Sequence, residues 1–155
     1  MYKELDEFRE HMLSYIREYM RDIEKGKRHS IPEKSTPDQA EHTVECVLDY
    51  VNTEFVQSKT RMFEGYPPDI ISVLDHIRGT SEHTQYRIDN KINDYFKSFR
   101  ETKTKITKKE LISAIHFFLE GLSADIDNSI TLYLYDEAKT LSNAVERRDR
   151  DYDDW

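Results

Sequence analysis

The stretch Leu111-Ile112-Ser113-Ala114-Ile115-His116-Phe117-Phe118-Leu119-Glu120-Gly121-Leu122 is the longest strongly apolar run in a polar chain. Leu111, Ala114, Ile115, Phe118 and Leu122 share one helical stripe, which Ile112 and Leu119 widen. Phe117 points away from that stripe. The run is therefore expected to be a helix that is apolar on more than one side, with neighbours packed around it. This expectation constrains the rest: the chain should be an all-α, single-domain bundle of five or six helices around a central helix near 108–122.

Scarce corners support that class. Only four glycines and four prolines occur in 155 residues, and sheets need turns that use them. The first helix is expected from Tyr2 to Lys25, with Leu5, Phe8, Met12, Ile16, Tyr19 and Ile23 recurring at steps of three and four. It stops at Gly26, and a basic loop runs on to Lys34. Thr36-Pro37-Asp38-Gln39 starts the next helix, with Thr36 as cap, Pro37 in the first helical position and Gln39 closing a capping box. Ala40, Val44, Val47, Leu48, Val51 and Phe55 form its apolar face.

Gly65-Tyr66-Pro67-Pro68 breaks the pattern. A short helix is expected near 68–77, then one capped by Ser81 that runs to Arg100 and buries Ile88, Ile92, Tyr95, Phe96 and Phe99. A basic connector follows, carrying Lys97, Arg100, Lys103, Lys105, Lys108 and Lys109. Thr107 and Glu110 make a second capping box and open the central helix. Asp125–Thr131 reads as a capping turn, because Ile130 and Asp136 occupy positions where a calcium loop needs Gly and Glu. Ile130–Tyr135 alternates as a strand does, yet it also fits a helical stripe, and a helix is expected over 128–148. The bundle is assigned to 1–148 and a charged, frayed tail to 149–155. No internal repeat is visible.

The charge balance narrows the function. A net charge of −8 argues against a general nucleic-acid binder, whose affinity comes from phosphate neutralisation. One cysteine, Cys46, allows no internal disulfide and no cysteine-based zinc cluster. The opening residues Met1–Glu7 lack the apolar core of a leader, and no apolar run reaches bilayer length. A cytoplasmic protein that does not span a membrane is the expectation.

Few motifs carry chemistry. His42 and Cys46 lie one turn apart but have no readable third or fourth metal ligand. No metal site and no cofactor is expected. Arg78-Gly79-Thr80-Ser81-Glu82-His83 resembles the active-site motif of HEPN-type ribonucleases. That resemblance covers six residues and implies that His83 and Arg78 act on a phosphodiester, the arginine holding negative charge.

A different feature points to binding. Asp38, Glu41, Glu45 and Asp49 line up on the second helix, and no basic residue occurs between Asp38 and Lys59. Ten tyrosines are more than the apolar faces need. Tyr2, Tyr15, Tyr50, Tyr66, Tyr86, Tyr133, Tyr135 and Tyr152 are expected at least partly exposed, as suits an interface. The leading expectation is a small acidic regulator or inhibitor of the immunity, antitoxin or phage anti-defence type. It would mask a basic protein partner through the acidic stripe. The alternatives are a ribonuclease using Arg78 and His83, and a structural homo-oligomer.

Overall fold

A computed structural model of the chain describes residues 2–66 and 82–153, with side chains described for 3–66 and 89–135. Four helices and one short strand pair account for these residues: α1 Tyr2–Glu24, β1 Lys34–Ser35, α2 Pro37–Met62, α3 Glu82–Thr102, β2 Ile106–Thr107 and α4 Lys108–Asp153. The architecture is all-α. The short helix expected near 68–77 and the Ser81 cap lie outside the described residues. No described helix is long and apolar enough to cross a membrane.

Helix α1 follows its stripe. Leu5, Phe8, Met12, Ile16, Tyr19 and Ile23 are all buried. Its end is local chemistry: Gly26 takes a left-handed φ of 69°, and the Lys27 N–H returns to the Asp22 carbonyl at 2.9 Å. A residue with a Cβ resists that backbone conformation.

Both capping boxes form. Thr36 Oγ1 accepts from the Gln39 N–H at 3.2 Å, and Gln39 Oε1 accepts from the Thr36 N–H at 3.0 Å. Thr107 Oγ1 accepts from the Glu110 N–H at 3.2 Å, and Glu110 Oε1 accepts from the Thr107 N–H at 3.1 Å. Each box satisfies donors that a helix start leaves without intrahelical partners.

The residues before the caps pair with each other. Strands β1 and β2 run antiparallel, with Lys34 opposite Thr107 and Ser35 opposite Ile106. The Lys108 N–H extends this ladder to the Glu33 carbonyl at 3.0 Å. Ser35 and Ile106 are both buried. The starts of α2 and α4 are thereby tied at one end of the bundle.

Helix α4 packs mainly on α1 and α2, while α2 packs on all three other helices, so the central place expected of 108–122 is not α4's alone. The Phe118 ring of α4 meets Tyr95 of α3 edge-on at 5.4 Å. Phe8 of α1 lies edge-on to Phe55 of α2 and to Phe63, at 5.2 and 5.7 Å. Such pairs add specific geometry to the apolar burial.

Two expectations need correction, and a third feature was not expected at all. The capping turn at Asp125–Thr131 does not form, and one 46-residue helix replaces the two expected over 108–122 and 128–148. No proline interrupts the segment, and Leu122, Ile126 and Ile130 continue the buried stripe. Helical backbone persists to Asp153, within the segment expected as a tail. Second, Phe117 is 58% exposed, so α4 is apolar on two sides but packed on only one of them there. Third, the β1–β2 pair had no forecast, because its partners lie far apart in the chain. The expected count of five or six helices is not reached among the described residues.

Candidate functional site

The acidic stripe of α2 divides into two halves. Asp38, in the first turn, is reached by Arg100 of α3, Nε to Oδ1 at 3.0 Å. The same guanidinium pairs through its terminal nitrogen with Glu41. Glu45 and Asp49, one and two turns further on, have no ion pair among the described residues. Asp49 is exposed and Glu45 half-exposed. Beside Asp49 stands Tyr50, 59% exposed, its ring edge-on to His29 at 5.3 Å. The open half of the stripe is thus two carboxylates, and the Tyr50 ring lies at its edge, about 100° round the helix from Asp49. Val56, also exposed, lies about two turns beyond Asp49.

An aromatic cluster supports that ring from below. The Tyr19 hydroxyl is hydrogen-bonded to His29 Nε2. The Arg28 guanidinium lies over the Tyr19 ring at 4.6 Å and the Tyr15 ring at 5.3 Å, and Arg28 Nε donates to Asp22 Oδ2 at 2.8 Å. Burial, reinforced by Arg28, lowers the pKa of His29. Burial also raises the Tyr19 hydroxyl well above the ordinary tyrosine value. Tyr19 therefore keeps its proton and donates it to a neutral imidazole. Guanidinium–aromatic contacts of this kind are attractive through the ring quadrupole.

His42 and Cys46 do meet on the surface of α2, with Sγ and Nε2 3.6 Å apart. Among the described residues, no three His, Cys, Asp or Glu side chains are placed to share a metal ion.

A serine, a histidine and a carboxylate also converge. His11 Nε2 lies 3.0 Å from Glu54 Oε1 and 3.1 Å from Ser58 Oγ, while Ser58 Oγ donates to Glu54 Oε1 at 2.9 Å. Arg61 donates to the same Ser58 oxygen at 3.3 Å. The geometry opposes nucleophilic catalysis. One histidine nitrogen faces both acid and serine, so it carries the proton and donates to both. A catalytic base presents a lone pair to the serine and its other nitrogen to the acid. Ser58 is also fully buried, out of reach of a substrate. This is a structural network that ties α1 to α2. Sequence reading missed it because its members are 43 and 47 residues apart.

Of the ribonuclease pair, Arg78 lies outside the described residues. His83 falls on the helical backbone of α3, but its side chain lies outside them as well.

The tertiary structure collects positive charge elsewhere. The β1–β2 pair joins the basic loop after α1 to the basic connector before α4. Lys25, Lys27, Lys34, Lys105 and Lys109 are exposed at that end. Lys103 is paired with Glu110, which holds the Glu110 carboxyl below the usual carboxylate range. A groove of about 640 Å³ opens there, between Lys34, Lys108, Ser113 and His116. Glu24 lines it too, its Oε1 3.5 Å from His116 Nε2.

The five expected tyrosines whose side chains are described, Tyr15, Tyr50, Tyr66, Tyr133 and Tyr135, are all at least partly exposed. Phe117 and Leu132, which composition did not single out, join them on the surface of α4.

No family model matches this chain, and neither a curated protein nor a solved structure is significantly similar to it.

Proposed function

We propose that the protein is a small intracellular binding module, a regulator or inhibitor that masks a basic protein partner. The docking face is the open half of the α2 stripe: Glu45 and Asp49, with Tyr50 as aromatic anchor. One observation carries the reading. Arg100 neutralises Asp38 and Glu41, while Glu45 and Asp49 keep their charge in solvent on a helix with no cation from Asp38 to Lys59. Like charges one turn apart repel by a few tenths of a kcal/mol, and the fold offsets that repulsion at only one end. A lysine- or arginine-rich surface would offset it at the other and would be steered to it at long range.

Tyr50 adds what charge alone does not. Aromatic side chains are enriched among the residues that dominate binding energy. Its edge contact with His29 fixes the ring before any partner arrives, which lowers the entropic cost of docking.

Capture from an extract of the source cell tests this reading. Wild-type protein at low salt should retain one basic protein. Retention should fall as salt rises, because exposed charges are screened over about 8 Å at physiological ionic strength. The Glu45→Gln/Asp49→Asn and Tyr50→Ala variants should lose it while remaining folded. Retention of the same partner by both variants removes α2 as the docking face.

A further inference from the structure

We propose that the protein forms a symmetric homodimer in which α4 of one copy packs antiparallel on α4 of a second, along the face from Phe117 to Tyr135. This surface is separate from the acidic face of α2, and the two readings stand or fall independently.

Three of the exposed large hydrophobic side chains lie on α4: Phe117 at 58%, Leu132 at 61% and Tyr135 at 63%. An α-helix turns through about 100° per residue. Phe117 and Tyr135 are five full turns apart and project in the same direction. Gly121, Ala124, Asn128 and Thr131 fall within about 40° of that direction, and all four are exposed. No charged residue lies in this band, in a chain that is 35% charged. The opposite side of the helix holds Leu119, Leu122, Ile126 and Ile130, all buried. An outward face of a surface helix is ordinarily its charged side, and here it is not.

The order of residues identifies the occupant. Phe117, Gly121, Ala124, Asn128, Thr131 and Tyr135 are spaced four, three, four, three and four. Any helical band five turns long is spaced in this way; what is particular here is the order of side chains about the midpoint at Ile126, a ring at each end and small residues between. A two-fold rotation about the midpoint sets Phe117 against Tyr135 of the second copy, Gly121 against Thr131 and Ala124 against Asn128. Rings stand at both ends and small side chains in the middle. The small residues let the helices approach closely, and each ring closes over the end of the other helix. A two-fold interface requires a surface that complements itself, and rings facing rings with small residues facing small ones meet that requirement.

The face is prepared for packing. The Phe117 ring is stacked on Tyr95 at 5.3 Å and 28°, and it lies edge-on to Phe118 at 5.2 Å. The Thr131 hydroxyl accepts from Arg9 at 2.8 Å. Arg9 also pairs with Asp127 on the flank at 3.6 Å. A Cβ added at Gly121 would meet nothing within 4 Å, so the middle of the face is open. Six large side chains from two copies offer roughly 700 Å² of apolar surface. The small residues bring the pair to about the 1,000 Å² that a specific interface needs.

Sedimentation over a micromolar concentration series is the test. A species of twice 18.6 kDa is expected. It should be no weaker at high salt, since the band from Phe117 to Tyr135 carries no charged residue of its own and salt screens the mutual repulsion of two acidic copies. Ala124→Arg, at an exposed helical position, should weaken the dimer at least about thirty-fold with unchanged helicity. Phe117→Ser is the second variant, should the first fail to fold. Orientation is read by linkage. In a Cys46→Ser background, Ala124→Cys/Asn128→Cys should oxidise to a dimer joined through 124 and 128 of opposite copies. A single 18.6 kDa species throughout overturns the proposal, as does a dimer that Ala124→Arg leaves intact. A dimer linked from 124 to 124, or not linked at all, overturns the antiparallel arrangement.

Discussion

Arg100 Nε lies 3.0 Å from Asp38 Oδ1, so the last turn of α3 is tied to the first turn of α2. The same guanidinium also engages Glu41, whose side chain is only 15% exposed. That partial burial makes the pair stronger than an ordinary surface salt bridge, and it divides the acidic stripe into a structural end and an open end.

Arg100→Met should lower stability by about 1–2 kcal/mol, since it leaves Glu41 half-buried without its cation. Glu45→Gln/Asp49→Asn should leave stability unchanged or raise it by a few tenths of a kcal/mol. Urea unfolding of the two variants measures the difference. Equal destabilisation by both would mean that Glu45 and Asp49 are held internally and are not a docking face.

Phe117 and Phe118 are neighbours with opposite roles. Phe118 is buried and Phe117 is 58% exposed. Phe118→Ala should cost about 3–5 kcal/mol, as loss of a core ring does. Phe117→Ala, compared at a concentration low enough for monomer, should cost less than about 1 kcal/mol. Similar losses at both positions would place Phe117 in the core.

The continuity of α4 is open to a single substitution. Were Asn128 a cap, Ser129 would be the first helical position, where proline is tolerated. Within one unbroken helix the same proline removes a hydrogen bond and clashes with the preceding turn. Ser129→Pro should therefore cost about 3 kcal/mol or more. A neutral result, read by thermal unfolding, would restore the turn at Asp125–Thr131.

His29 gives the fold a pH dependence. Its folded pKa lies below the ordinary 6.5, chiefly because it is buried. The unfolded chain then binds the proton more readily, so stability rises with pH across this window. The contribution is complete above about pH 6.5 and is lost as pH falls toward the depressed value. Melting temperature should decline from about pH 6.5 downward, and His29→Gln should flatten that part of the profile. An unchanged slope in the variant would transfer the effect to another group.

What the sequence determined by itself was whatever depends on residues within a turn or two of one another. Thr36 and Gln39 are three apart, and their mutual hydrogen bonds need no other part of the chain. The α1 stripe, the stop at Gly26 and the second box at Thr107 and Glu110 were legible for the same reason. The acidic stripe was visible too, because a helix places Asp38, Glu41, Glu45 and Asp49 side by side wherever it packs. Its division was not, because Arg100 is 62 residues from Asp38 and chain closure over that distance leaves no local mark. The β1–β2 pair and the His11–Glu54–Ser58 network were hidden in the same way. At Asp125–Thr131 the local preferences for capping and for continuing differ by less than the burial of two side chains. Packing of Ile126 and Ile130 into the core therefore decided for one helix, since each fully buried isoleucine is worth about 1.5–3 kcal/mol, more than a cap contributes.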